Sequence, residues 1–228
     1  MQRGRCGRIR AIATALAICT TANFAAAETL PAESGASDSA DASPFGEGRW
    51  LASFHAGYAL PFQFDDANTG VEDSEFVALI PRASLGLTDP FGGDRWYRGN
   101  LELGLEGHFL IQTRPHAGSF AGGTLLARYN WLAAERRHVV PFLEVGIGIG
   151  HLDFGLPSRA DGFNFALQSV AGVHWFVWER AAITVQWRFH HLSNGKIREP
   201  NVAIDSSLFL IGTTFALDGL RGVSGATD

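Results

Sequence analysis

His191, Ser193 and Asn194 stand almost side by side in FHHLSNGKIREPNVAID (189–205), and Asp205 closes the same stretch. Serine, histidine and a carboxylate are the groups a hydrolase needs to turn a hydroxyl into a nucleophile. The imidazole takes the hydroxyl proton, and the acid orients the imidazole. That chemistry requires the three to meet, so the elements that carry them decide whether this is a site.

From Trp50 onward the chain alternates with period two, the mark of strands with one apolar face. In NLELGLEGHFLI (100–111), Leu101, Leu103, Leu105, Phe109 and Ile111 oppose Asn100, Glu102, Gly104, Glu106 and His108. In PFLEVGIGIG (141–150), Leu143, Val145, Ile147 and Ile149 oppose Phe142, Glu144 and three glycines. Eight such segments are read at roughly 50–60, 75–88, 96–113, 120–134, 137–153, 162–178, 180–193 and 204–217. Pro61 and Pro81 disturb the first two, because proline cannot donate to a ladder.

A soluble barrel would turn the apolar face inward; a membrane barrel turns it outward. Strand length favours the membrane form, since a spanning strand needs about 9–11 residues. So do Glu102, Glu106, Glu144, Arg128 and Arg188, which make sense as a paired network in a narrow lumen where glycines leave room. The expected fold is all-β: an eight-stranded antiparallel transmembrane β-barrel spanning 49–218. Trp50, Trp96, Tyr97, Trp131, Trp175 and Trp178 fall near strand ends, where interfacial aromatic belts lie.

The ends of the chain set the compartment. Arg3, Arg5, Arg8 and Arg10 precede a short apolar run (11–19) and small residues at 25–27, the layout of a secretory signal peptide at 1–27. Ile18 before Cys19 argues against a lipoprotein cut. Removal of this segment takes away Cys6 and Cys19, so disulfides and cysteine-held metals are excluded. It leaves 14 basic against 23 acidic residues, a formal −9, with no electrostatic footprint for nucleic acid. Residues 28–48 read as a flexible acidic lead-in, and 219–228 as a C-terminal tail.

Parity then separates the two histidines of the opening stretch. Ile183, Val185, Trp187 and Phe189 face lipid, and the same parity continues to His191 and Ser193, while His190 turns to the lumen with Arg188. Asp205 opens the alternation Asp205, Ser207, Phe209, Ile211, so it shares the lipid side. A loop of about ten residues makes the two strands antiparallel neighbours whose tips meet. The pattern is a Ser–His–acid arrangement on the outside of a barrel. Adjacent residues point to opposite faces, so His190 and His191 cannot share a metal ion. GIGIG (146–150) lies inside a strand with no helix after it, which removes a nucleotide loop. Lys196 and Arg198 sit beside the site, as solvated charges or as partners for the phosphates of an anionic lipid. With Asn201 they are the candidate substrate-binding residues.

FHHLSNGKIREPNVAID resembles the signature of the outer-membrane lipid A 3-O-deacylases, the PagL family: His, any residue, Ser-Asn, a small residue, a short loop, Pro-Asn, then an acid. His191, Ser193, Asn194, Pro200 and Asn201 match it, Asp205 follows Ser193 by twelve positions, and VPFLEVGIGIG (140–150) is similar to the family's fifth strand. The resemblance implies a serine esterase at the outer-leaflet level, with Ser193 as nucleophile, His191 as base, Asp205 as acid and Asn194 at the oxyanion hole. It implies no cofactor and no metal, with lipid A as substrate. Three features depart from the pattern. The acid is aspartate where the family usually has glutamate, Lys196 stands where the family can carry glycine, and Ala203 replaces a glycine before the acid. The alternatives are a non-catalytic barrel with a structural or binding role, and an outer-membrane phospholipase. A homodimer is left open.

Overall fold

The structure, a computed structural model, describes residues 44–62, 71, 73–134 and 138–217. The expected signal peptide (1–27), most of the expected acidic lead-in (28–48) and the expected C-terminal tail (219–228) lie outside the described residues.

Eight strands form one closed antiparallel barrel: β1 (Trp50–Phe62), β2 (Glu75–Gly86), β3 (Asn100–Arg114), β4 (Gly118–Asn130), β5 (Val139–Asp153), β6 (Gly162–Trp178), β7 (Ala181–Ser193) and β8 (Ile204–Leu217). Each strand pairs with the next, and β1 closes on β8 from Trp50↔Leu217 to Phe62↔Asp205. The eight segments read from the alternation are the eight strands. Two differences have local causes. β3 starts at Asn100 rather than near 96, because the preceding residues form their own loop, bridged at Phe91↔Gly99. β4 stops at Asn130, where a 3-10 turn, Leu132–Ala134, takes over. Pro81 does not end β2: the β2–β3 register is the same on either side of it, Leu79↔Phe109 and Arg82↔Glu106, with the pairing interrupted between them. The missing N–H interrupts the ladder there.

The alternation is apolar-out. Leu105, Val145 and Ile147 are 62–64% exposed, whereas Glu102, Glu106 and Glu144 are 1–3% exposed. A water-soluble barrel would reverse this; a bilayer requires it.

The lumen is filled in tiers. At the end carrying the β7–β8 tips, an apolar plug packs Phe76, Phe120, Leu152, Phe154, Leu192 and Ile204. At the opposite end Phe45 packs with Leu132, Val140 and Phe176, so the last part of the lead-in is a stopper against the barrel rather than a free tail. Between them lies the charged tier. Arg188 grips Glu106 through both terminal nitrogens, at 2.6 and 3.1 Å. Arg82 and Arg128 share Glu144 at 2.7 and 2.8 Å. Asn130 donates to Glu102 at 2.7 Å, and the Arg128 guanidinium lies 4.2 Å from the centre of the Phe142 ring. Arg82 completes the network that the sequence reading built from Arg128 and Arg188 alone. A Cβ on Gly104 would sit 2.4 Å from Arg82 Nη2, so this glycine makes the room for that guanidinium.

Candidate active site

The site is held from inside the barrel. Leu192, between His191 and Ser193, and Ile204, just before Asp205, are both buried in the apolar plug. Because side chains alternate, burying Leu192 and Ile204 inward obliges His191, Ser193 and Asp205 to face outward. A slip of one residue would expose the plug and bury the site.

The two strand tips meet in register, with His191 directly opposite Asp205. The His191 Nδ1–H donates to Asp205 Oδ1 at 2.7 Å, with the side chains 29% and 15% exposed. The shorter acid therefore reaches, because direct cross-strand pairing supplies what the missing methylene would have. A carboxylate only accepts, so this bond puts the proton on Nδ1 and leaves the lone pair on Nε2. Ser193 lies two residues further along the same face, opposite Phe165 of β6, and His191 lies opposite Leu167. Phe163 and Phe165 meet edge to face at 5.0 Å, forming an aromatic wall beside Ser193. On the other side Phe62 packs against Phe189 at 6.1 Å. The arrangement is a base oriented by an acid, with a hydroxyl on the same face, in an apolar setting suited to acyl chains.

Asn194 is not turned toward that face. It is 2% exposed; its backbone N–H donates to Asn201 Oδ1 at 3.0 Å and its Nδ2 donates to Arg198 O at 2.7 Å. Asn194 and Asn201 thus brace the loop that follows Ser193. That loop opens with Gly195 and Lys196 at φ 62° and 64° and closes with Ile197 N–H on Asn194 O at 3.1 Å. Two successive positive φ values are the geometry of a type I′ turn, which favours glycine at both central positions. Lys196 is thus the strained member, at the position where the resembling family can carry glycine. A side chain at Gly195 would also press on Phe165, at 3.2 Å from its ring. Lys196, Ile197 and Arg198 are exposed beside the site, and Arg198 Nη1 donates to Asp161 O at 3.2 Å.

A second loop, absent from the sequence reading, supports the first. Residues 154–161, between β5 and β6, dock on the β7–β8 loop through the bridge Arg159↔Asn201 and Ala160 N–H donating to Pro200 O at 2.7 Å. Arg159 is 2% exposed and donates to Val202 O and to Asn164 Oδ1. Burial lowers its pKa to about 10, against the pull of Asp161. Nothing in LPSRADG (156–162) signals this role, because it arises from contact between two loops rather than from spacing in either.

A model of the lipid A 3-O-deacylase (PagL) family matches residues 83–214, more than half of the chain and all of the site. The chain belongs to this family. No match is found among curated proteins. Among solved structures it is similar to the outer membrane enzyme PagL, at 14% identity and TM-score 0.47, covering 72% of this chain and 97% of that one. It is also similar to Neisserial surface protein A, at 15% identity and TM-score 0.46, covering 75% and 98%. A third likeness is the N-terminal β-barrel domain of Pseudomonas aeruginosa OprF, at 12% identity and TM-score 0.43, covering 75% and 99%. Family membership and an apolar exterior together make this a barrel of the bacterial outer membrane.

Proposed function

We propose that this deacylase-family barrel removes an ester-linked acyl chain from lipid A, at the 3-position, by a Ser193–His191–Asp205 triad on its lipid-facing side. The observation that carries the reading is the His191–Asp205 bond of 2.7 Å on the outer surface, with Ser193 on the same face. Serine attack on the ester carbonyl sends the Oγ proton to His191 Nε2, and Asp205 stabilises the imidazolium. The tetrahedral oxyanion collapses, and the sugar oxygen leaves with the proton from His191. Water, deprotonated by the same nitrogen, then releases the fatty acid and restores Ser193. The triad needs no metal or organic cofactor.

In this reading Asn194 serves the oxyanion by fixing the turn after the nucleophile, where the N–H groups of Gly195 and Lys196 are the candidate donors. Lys196 and Arg198 meet the phosphates of the lipid A head. The signal peptide at 1–27 delivers the chain, the N-terminus stays periplasmic, and the odd strands run outward. β7 then ends in the outer leaflet, at the level of a lipid A ester.

Mass spectrometry of lipid A and phospholipids from cells with and without the protein tests the substrate, and purified protein is expected to release a hydroxy fatty acid. Ser193→Ala is expected to abolish release while the barrel still inserts. Undiminished release by Ser193→Ala would overturn the triad. Loss of acyl chains from phospholipid, with lipid A intact, would make the protein a phospholipase.

A further inference from the structure

The end of the barrel opposite the triad carries a second built surface. The β2–β3 connection is far longer than the short turn expected at the periplasmic end of a small barrel, and it is ordered. Phe91 and Gly99 exchange backbone hydrogen bonds at 2.8 and 3.1 Å, and Ala133 N–H ties the neighbouring loop to Arg98 O at 2.8 Å. Two aromatic donors pin its tip to the wall: Tyr129 Oη–H to Tyr97 O and Trp131 Nε1–H to Trp96 O, both at 2.5 Å. Trp96 meets Tyr97 and Trp131 edge to face, at 5.6 and 6.4 Å. The loop therefore stands as an aromatic overhang on the outer, lipid-facing side.

Beneath it is a cavity of about 580 Å³, with Trp96, Tyr97 and Trp131 on one side and Leu143 and Ala171 of the barrel wall on the other. Sharing Trp96 as a common wall is a second cavity, of about 570 Å³, lined by Arg95, Arg98 and His138, with Asp94 as the one acid among the described residues that line it. Arg95 is held in place by Tyr97: its Nη1 donates to the hydroxyl at 2.5 Å, and its guanidinium lies 5.8 Å from the ring centre. Five donors on a guanidinium leave the others for a ligand. On a chain with a formal net charge of −5, two exposed arginines side by side are a local reversal of sign.

We infer that this is a binding site for one anionic glycerophospholipid, with an acyl chain under the Trp96 overhang and the phosphate at Arg95 and Arg98. An apolar slot opening from the membrane face and a cationic cavity at its mouth match the two parts of such a lipid, in the order in which a bilayer presents them. In the orientation proposed above, this end faces the periplasmic leaflet, which is built of glycerophospholipid. A lipid held here would fix the depth of the barrel in the bilayer and with it the height of His191 and Ser193 in the opposite leaflet.

The test is native mass spectrometry of the full chain, released from micelles doped with phosphatidylglycerol or with phosphatidylcholine of the same acyl chains. One phosphatidylglycerol adduct is expected, at least tenfold more abundant than the phosphatidylcholine adduct. The double variant Arg95→Gln/Arg98→Gln, which touches only exposed side chains, is expected to erase that preference. Ala171→Trp, which fills the slot, is expected to lower both adducts at least fivefold. Equal retention of the two lipids by the unaltered protein, or an unchanged preference in the arginine variant, would overturn the inference. Ser193→Ala is expected to carry the same adduct, so a failed deacylation assay leaves this result readable.

Discussion

His190 and His191 are neighbours on one strand with opposite surroundings. His190 is fully buried, its ring 4.5 Å from that of His108, and among the described residues neither of its ring nitrogens has a hydrogen-bond partner. His191 is on the outer face, and its Nδ1 is bound to Asp205. The same side chain is packing material on one side of the wall and, in the proposed triad, the base on the other. What differs is access and an acid: the lumen tier spends its carboxylates on arginines, while Asp205 is left for a histidine. Polar residues inside this barrel make structure, and polar residues outside it, at a strand tip, are free to do chemistry.

The sharpest way to break the comparison is to remove the outer histidine. His191→Gln is expected to cost about 10²–10⁴-fold in deacylation rate, the range a positioned general base contributes. Heat-dependent gel mobility should stay that of a folded barrel. A rate within a few-fold of the unaltered protein would mean that Ser193 has no base at 191.

Asp205 comes next. Asp205→Asn keeps the shape but removes the charge that stabilises the imidazolium and lets the ring choose the wrong tautomer. A loss of about 10²-fold is expected, the scale on which misplacement of a reacting group is felt. Asp205→Glu is expected to keep most of the activity, because the position pairs directly with His191 and a longer acid has only to fold back. If Asp205→Asn and Asp205→Glu were equally impaired, charge would not be what the position supplies.

The inside of the wall should fail differently. Arg188→Met leaves Glu106 buried without its bidentate partner. Breaking one half of a buried pair costs about 3–5 kcal/mol. The expected result is a clear fall in the denaturant midpoint, with the rate per folded molecule unchanged. Adding Glu106→Gln should recover much of the loss, since the unpaired charge is then gone. A rate that fell with Arg188→Met while the midpoint held would tie the lumen to the chemistry.

Much of this division was legible in the sequence, and for one reason. A strand has period two, so the apolar register of Ile183, Val185, Trp187 and Phe189 carries forward to His191 and Ser193, and that of Phe209 and Ile211 carries back to Asp205. The same parity sent Glu102, Glu106, Glu144, Arg128 and Arg188 into the lumen, where the structure has them paired. Loops have no period, and there the reading stopped. It could not see Arg159 bracing Asn201, nor that the side-chain amide of Asn194 is spent on Arg198 O. Nor could it see that the residues before Asn100 fold into an overhang, which placed the start of the third strand too early. It read Phe45 into a free lead-in, because one aromatic in an acidic stretch has no pattern to announce the pocket it fills.

The smallest effect expected is the most discriminating. His190→Phe replaces a ring that makes no hydrogen bond among the described residues with one of similar size, facing His108 and Phe120 at 4.5 and 6.4 Å. A buried polar group without a partner is a cost to the fold, and exchanging it for an apolar ring of like shape is close to neutral or mildly stabilising. Deacylation is therefore expected to change by less than about threefold, against the 10²–10⁴-fold assigned to the base one residue away. The denaturant midpoint should hold or rise. Should His190→Phe instead lower the rate as His191→Gln does, the wall between the two histidines would not separate structure from chemistry. The alternation of β7 would then be a rule of packing only, and the base would have to be sought among the groups that His190 touches.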